Sequence, residues 1–196
     1  MLYGVSLGPG DVELLTFKAV RIIREADEVI VPGEVAAGIV RGFREPKIVE
    51  FPMGKGREVA KKLASEIVER CARERIAFCC LGDATLYSTF SQLAEEVLKL
   101  NPKVEIEIVP GVSSVFAALA KMKVFVTKSI LITTDFEPEV VAVMKAKRSR
   151  EISERLKKEG YGDIRIVQRL YMDGEKISEE IPDFADYLSI IVGVKR

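Results

Sequence analysis

The amino-acid sequence predicts an α/β protein in two parts: an N-terminal domain built on a parallel sheet, and a smaller α+β domain with a mixed sheet. Two patterns support this prediction. In the first half, short apolar runs alternate with segments of helical spacing, and such alternation favours parallel strands joined by crossover helices. After about residue 122, strand-like runs dominate and one clear helix remains. The 196 residues suffice for one large domain or two small ones.

Five short runs in the first half are predicted to be strands: residues 2–7, 28–32, 47–51, 76–81 and 104–109. The fourth run is uninterrupted by polar residues, which is typical of a central parallel strand covered on both faces. Apolar residues at helical spacing predict helices over residues 14–26, 57–73, 88–100 and 112–120. In the second of these helices, Val59, Leu63, Ile67 and Cys71 recur at intervals of four and form one buried stripe.

The second half is predicted to contain four strands and one helix. The strands are residues 130–133, 140–144, 164–168 and 188–194, and the helix is residues 150–159, closed by Gly160 at its C-terminal cap. The resulting domains are residues 1–111 and 112–196. No linker rich in Pro, Gly or Ser separates them, so the domains are expected to pack closely, with a ligand site in the cleft between them.

Composition excludes several classes of function. The 30 basic and 30 acidic residues cancel, which argues against a general nucleic-acid binder. Histidine is absent, which excludes Ser-His-Asp and Cys-His catalysis and histidine-ligated zinc. Cys71, Cys79 and Cys80 form no paired CxxC motif and are expected to be buried free thiols, so no protein metal ligands are expected. The lack of a targeting or membrane-spanning segment predicts a cytoplasmic protein.

Three polar turns follow predicted strands. The first, residues 8–16 (GPGDVELLT), contains two glycines that permit a close backbone approach by a ligand. The second, residues 81–90 (LGDATLYSTF), concentrates more hydrogen-bonding groups than a turn requires. The third, residues 110–114 (PGVSS), places two hydroxyls at a helix N-terminus. Because the carboxyl ends of parallel strands share one edge of a sheet, the three turns are expected at a ligand-binding edge.

Each turn also has a purely structural interpretation, as a strand-to-helix connection with a helix cap. The cap would be Asp11 or Thr16 in the first turn, Ser88 in the second, and Ser113 or Ser114 in the third. Two common nucleotide-binding motifs are missing. A glutamate stands where GxGxxG needs its third glycine, and the Gly-Lys-Gly loop at residues 54–56 lacks the Ser or Thr of a P-loop.

In this order and spacing, the three turns resemble those of the tetrapyrrole (corrin/porphyrin) methylase family, S-adenosylmethionine-dependent methyltransferases of cobalamin and sirohaem synthesis. The family's opening GxGPGDxxLLTxKA segment corresponds to SLGPGDVELLTFKA at residues 6–19, its GDP turn to residues 82–84, and its PGxSS segment to residues 110–114. The resemblance covers essentially the whole chain. It implies the family's two-domain fold, with an active-site cleft between the domains, and a homodimer.

Finer features resemble the enzymes that methylate C-20 of cobalt-precorrin-2 or cobalt-factor II. These are the GDxxLYSTF form of the second turn, Phe51-Pro52-Met53 before a basic loop, and the segments 143–145 and 187–189. The chain departs from the pattern at Ala84, where proline is usual, and in a second half that is shortened mostly between residues 120 and 140. The alternatives are methylation at another ring position, a non-catalytic tetrapyrrole- or nucleotide-binding module, and a nicotinamide-dependent oxidoreductase, which the missing GxGxxG disfavours.

The resemblance also implies which residues bind S-adenosylmethionine. The positions that match the family's contacts, with two neighbouring hydroxyls added, are Pro9, Leu81, Gly82, Asp83, Leu86, Ser88, Thr89, Ser113, Ser114 and Met144. Backbone groups near Leu170 and Leu188 are expected to close the adenosine pocket. Substitution of Asp83 with Ala is expected to weaken cofactor binding and leave the fold intact, since Asp83 lies on a turn.

The tetrapyrrole implied by the resemblance carries carboxylate arms, so the binding cleft needs cations. Lys55 and Arg57 are the first candidates, followed by Lys18, Lys145 and Arg148. The proton released at C-20 is expected to pass to Asp11, to Tyr87, to solvent or to the substrate's own acetates. Any cobalt arrives inside the substrate.

Overall fold

A computed structural model describes residues 1–52, 54–133 and 138–195. The chain divides into two compact units, Met1–Phe125 and Val126–Arg196. The boundary therefore follows the helix at residues 114–121, whereas the sequence placed it before that helix, between residues 111 and 112. Among the described residues, no helix is both long and apolar enough to cross a bilayer.

The first unit is built on a five-stranded sheet in which every pair of neighbouring strands is parallel. The strands are β1 (Leu2–Ser6), β2 (Glu28–Val31), β3 (Lys47–Ile48), β4 (Ile76–Cys80) and β5 (Ile106–Val109), in the spatial order β3-β2-β4-β1-β5. All five strands lie within predicted runs, although β3 is only two residues long. The central strand β4 is buried along its whole length, which confirms the interpretation of its apolar run.

Helices cover both faces of this sheet. They are α1 (Phe17–Glu25), α2 (Glu34–Val40), α3 (Gly56–Ile67) and α4 (Thr89–Leu100). A fifth helix of this unit, α5 (Ser114–Lys121), has no buried residue. Residues of α1 and α2 share one buried cluster with Ala77 and Cys79 of β4, whereas α3 and α4 share another with Phe78 and Cys80. Successive residues of a strand point to opposite faces, so the two helix pairs lie on opposite sides of the sheet.

Side-chain caps explain where several helices begin. Thr16 accepts a hydrogen bond from the Ala19 N–H at the start of α1. Helix α3 ends at residue 67, short of the predicted residue 73, because a separate short 3₁₀ turn follows at Arg70–Ala72. Helix α2 was not predicted, since its sequence EVAAGIV offers one short apolar run without a repeat of helical spacing.

The second unit contains a four-stranded antiparallel sheet and one helix. Its elements are β6 (Val140–Met144), α6 (Ser149–Lys158), β7 (Asp163–Gln168), β8 (Lys176–Ser178) and β9 (Ser189–Val194), with the sheet order β6-β9-β7-β8. A small apolar cluster joins α6 to β7 and β9. Gly160, with a φ of 91°, follows the end of α6 as predicted.

One strand predicted in the second half is wrong, and one strand was missed. Residues 130–133 (Ile-Leu-Ile-Thr) form no strand, although three of these four residues are β-branched. A run of four residues without alternation does not distinguish a strand from an irregular segment. Strand β8 was missed, since it is a three-residue edge strand with a largely exposed pattern. The three cysteines are free and buried, as expected.

Candidate functional site

The connectivity of the first sheet creates a crevice at the carboxyl ends of β1 and β4. These two strands are neighbours, but the chain leaves β1 toward α1 on one face and leaves β4 toward α4 on the other. The connections therefore diverge. In open α/β sheets such a switch point is the usual place for a bound ligand. The first two polar turns of the sequence lie at this point.

A pair of glycines joins the two diverging turns. The Gly8 N–H donates to the Gly82 carbonyl at 3.1 Å, and the Gly82 N–H donates to the Gly8 carbonyl at 2.7 Å. Both residues have left-handed backbones, with φ values of 69° and 72°, which glycine adopts without strain. A Cβ added at Gly82 would have no neighbour within 4 Å, so the backbone there faces open space. The crevice thus has an exposed backbone surface that a ligand can approach closely.

Asp83 connects the second turn to the third. Its Oδ2 accepts a hydrogen bond of 2.9 Å from the Gly111 N–H, and its Oδ1 accepts one of 2.9 Å from the Thr85 N–H. Partial burial acts to raise the pKa of the Asp83 carboxyl, but hydrogen bonds from Thr85 and Gly111 outweigh it and leave that pKa below its ordinary value. The carboxylate therefore stays charged at neutral pH and fixes the position of the third turn.

A serine of β1 supports the same junction from inside. Ser6 is fully buried, and its Oγ accepts a 2.8 Å hydrogen bond from the Ala84 N–H. The backbone of Gly111 passes so close that a Cβ added there would lie 2.5 Å from the Ser6 Cβ. Residues from the ends of β1, β4 and β5 are therefore in direct contact, as the sequence predicted for the three turns.

The hydroxyls of the second and third turns cap helices. Ser88 Oγ accepts a 2.9 Å hydrogen bond from the Phe90 N–H, and Ser113 Oγ accepts one of 3.3 Å from the Val115 N–H. These contacts confirm the structural interpretation for both serines. Ser114 is exposed beside them and Thr89 is partly exposed. A contact of any of these hydroxyls with a ligand remains a prediction.

The first and third turns border one groove of about 980 Å³. Pro9, Gly10 and Asp11 form one wall, and Ser114 and Ala117 contribute from α5. The remaining wall comes from α2 and the residues after it, at Gly38, Ile39 and Gly42. This wall was not predicted, although Gly33 as the N-cap and Glu34 in the first turn are compatible with the start of a helix.

The second turn presents apolar side chains to solvent. Leu81 is 42% exposed and Tyr87 is 66% exposed, while Leu86 is partly buried. Tyr87 also has a φ of 49°, which is unusual for a bulky residue and is retained only where the surroundings enforce it. The turn thus places two exposed apolar groups beside the crevice.

The predicted cations lie in different settings. Lys55 and Arg57 are exposed at the start of α3, whose connection from β3 ends at the same edge of the sheet as the three turns. Arg57 Nη2 is 3.4 Å from Glu95 Oε2, an exposed ion pair that holds the guanidinium only weakly. Lys18 pairs with Glu107 at 2.6 Å.

The remaining predicted residues belong to the second unit. Met144 ends β6 and is 69% exposed, and Lys145 follows it directly. Arg148 Nη1 is 3.5 Å from Glu151 Oε2 on α6. Asp11 is exposed in the first unit, where its Oδ1 accepts a 3.0 Å hydrogen bond from the Glu13 N–H. Among the residues that the structure describes, no group of three or more Cys, Asp or Glu side chains is arranged to hold a metal ion.

Comparison with known proteins supplies independent information. A sequence model of the tetrapyrrole (corrin/porphyrin) methylases matches residues 1–181. A probable cobalt-precorrin-2 C(20)-methyltransferase of Methanocaldococcus jannaschii is 31% identical over 223 aligned residues, covering 100% of this chain and 96% of the relative. A uroporphyrinogen-III C-methyltransferase of Cyanidium caldarium is 40% identical over 128 residues, covering 62% of this chain and 49% of that protein.

A solved structure shows the same fold. It is the uroporphyrin-III C-methyltransferase of Thermus thermophilus complexed with S-adenosyl homocysteine. Its TM-score is 0.52 at 20% identity, and the match covers 98% of this chain and 96% of that structure. At this identity the likeness concerns the fold alone.

Proposed function

Because this chain belongs to the tetrapyrrole (corrin/porphyrin) methylase family, we propose that it transfers a methyl group to C-20 of cobalt-precorrin-2 or cobalt-factor II in cobalamin synthesis. Members of the family are S-adenosylmethionine-dependent methyltransferases. The observation that carries the C-20 assignment is the full-length match to the M. jannaschii protein, which is named for that reaction. The shorter match to a uroporphyrinogen-III methyltransferase supports methylation of another ring position as the alternative.

We assign the methyl donor to the crevice at the ends of β1 and β4. The open backbone at Gly82 and the exposed Leu81 suit a flat, partly apolar nucleoside, and Asp83 holds the neighbouring turn in place. The proposed contacts are those implied by the sequence: Pro9, Leu81, Gly82, Asp83, Leu86, Ser88, Thr89, Ser113, Ser114 and Met144.

When bound, S-adenosylmethionine supplies a methyl group on a sulfonium that is already an activated leaving group. The chain therefore needs no nucleophile of its own, in keeping with its lack of histidine. Its residues instead align the two reactants and exclude water. The S–CH₃ bond breaks as a bond to C-20 forms, and the ring then loses its C-20 proton. Asp11, a carboxylate on the groove wall, is one proposed acceptor. Tyr87 is the other, and it would pass its own hydroxyl proton to solvent as it takes up the ring proton.

The tetrapyrrole is proposed to bind along the same edge of the first sheet. Lys55 and Arg57 are exposed there and would contact its carboxylate arms. Arg57 is only weakly engaged by Glu95, so its guanidinium can exchange that carboxylate for one of the substrate.

The test is an anaerobic incubation with S-adenosylmethionine and cobalt-factor II, followed by mass spectrometry and NMR of the product. One added methyl group at C-20 is the expected result. A methyl group on another carbon would refute the C-20 assignment and favour the alternative. Cofactor binding without any methylation would indicate a different tetrapyrrole substrate or a binding-only protein.

A further inference from the structure

Two lysines of the second unit converge on one tyrosine ring. The Lys145 Nζ lies 5.2 Å from the centroid of the Tyr187 ring, and the Lys147 Nζ lies 5.7 Å from the same centroid. Lys145 follows the end of β6, and Tyr187 precedes β9, the strand that pairs with β6. The π-electrons of the ring attract both ammonium groups, so two like charges share one aromatic partner. Interaction with the Tyr187 hydroxyl raises the pKa of Lys145, which keeps its charge.

The two charges have no counter-ion in the part of the chain that the structure describes. The arginines nearby are all paired: Arg148 with Glu151, Arg150 with Asp183, and Arg169 with Asp186. Neither Lys145 nor Lys147 lies within ion-pair distance of a described carboxylate. Adjacent like charges repel each other, so an anion that contacted both would be favoured.

The backbone holds this pair in a fixed turn. Lys145 has a left-handed backbone with a φ of 56°, and the Lys147 N–H donates to the Lys145 carbonyl at 2.8 Å. Between them, Ala146 is fully buried and its N–H donates to the Ser189 carbonyl at 3.2 Å. The Ala185 N–H donates to the Lys147 carbonyl at 3.0 Å. The turn is therefore hydrogen-bonded to the chain on both sides of Tyr187. Its backbone is already ordered, so ligand binding costs little conformational entropy there.

We propose that Lys145, Lys147 and the Tyr187 ring form a carboxylate-binding site. This inference rests on the proposed function, which supplies two carboxylate sources: an acetate or propionate arm of the tetrapyrrole, and the amino-acid carboxylate of the methyl donor. Two ammonium groups around one ring offer a carboxylate two point-charge donors. One arginine guanidinium can bind both oxygens of a carboxylate, whereas here two lysine ammonium groups would each bind it.

The test compares the double variant Lys145→Met/Lys147→Met with Lys195→Met. The control lysine belongs to the same unit and lies over another ring, 5.0 Å from the Tyr161 centroid, beyond the opposite end of β9. Uroporphyrin binding is titrated by its absorbance, and S-adenosylhomocysteine binding is measured by calorimetry. We expect about a tenfold loss of uroporphyrin affinity in the double variant, about threefold in each single variant, and no change in the control.

Further measurements distinguish the two sources of the carboxylate. If the double variant binds S-adenosylhomocysteine more weakly but binds 5′-methylthioadenosine, which lacks the amino-acid part, as well as the wild type does, the methyl donor is the carboxylate source. The double variant Lys145→Arg/Lys147→Arg keeps both charges and should retain binding. With increasing salt concentration, the affinity of the wild type should fall more steeply than that of the methionine double variant. Unchanged affinity for both probes in the methionine variant would overturn the proposal. These titrations need no turnover, so a wild type that binds but does not methylate cobalt-factor II refutes the proposed function alone.

Discussion

Asp83 is a single carboxylate that joins two turns separated by 28 positions in the sequence. The cofactor assignment treats it as a ligand contact, and the structure adds its hydrogen bonds to Thr85 and Gly111. The pattern Gly-Asp after a buried strand was enough to locate the turn. It was not enough to identify the partner of the carboxylate, because a bond to the end of β5 depends on the sheet order.

The hydrogen bond from Gly111 revises the expectation that substituting Asp83 with Ala leaves the fold unaffected. The substitution is expected to destabilise the first unit by about 1–3 kcal/mol at pH 7, because the Gly111 N–H loses its acceptor. Because folding lowers the pKa of Asp83, its carboxylate contributes fully to stability above about pH 4, and this contribution is lost below that pH, as the pH falls through the lowered pKa of the folded state. Urea unfolding of both proteins at pH 7 and pH 3 measures the effect. The difference in unfolding free energy should shrink on acidification, and a pH-independent difference would contradict the role of the charged carboxylate.

At the scale of elements, the sequence predicted best where periodicity was sustained. The strands and long helices of the first unit were found because each has several buried positions at one spacing. Residues 130–133 show the limit of that reasoning, since a run of four residues without alternation does not distinguish a strand from an irregular segment. Helix α2, a wall of the groove, was missed because seven residues are too few to establish a repeat.

The packing of α4 on β1 depends on a glycine. A Cβ added at Gly4 would lie 2.3 Å from the ring of Phe90, the buried residue near the start of α4. Gly4→Ala is therefore expected to destabilise the protein by about 1–3 kcal/mol through overpacking. In a double-mutant cycle, Gly4→Ala should cost less unfolding free energy when combined with Phe90→Leu, because the smaller side chain leaves room for the methyl group.

A matched control for this substitution lies in α2. A Cβ at Gly38 would have no neighbour within 4 Å, so Gly38→Ala is expected to be neutral or to stabilise the protein by about 0.5–1 kcal/mol. Thermal unfolding followed by circular dichroism measures all four variants. Equal effects of the two alanines would show that the contact with Phe90 does not limit the packing of α4.

For the whole molecule, the sequence indicated two parts, and the structure divides the chain into two units whose cores differ in size. The first unit has buried clusters on both faces of its sheet, whereas the second has one small cluster around Leu156, Ile166 and Ile191. The sequence placed the boundary before residue 112, although strand-like runs begin to dominate only after about residue 122. The division after Phe125 instead keeps α5 with the sheet whose last strand precedes it.

The difference in core size leads to a prediction for the separate fragments. Residues 1–125 are expected to unfold cooperatively on their own, while residues 126–196 bury too little apolar surface for a stable fold. All three cysteines belong to the first fragment, and burial raises the pKa of each thiol, so alkylation should occur only on unfolding. Thiol labelling and calorimetric melting of the full chain and both fragments measure this. Rapid labelling of fragment 1–125 under native conditions would show that its two clusters are not self-sufficient.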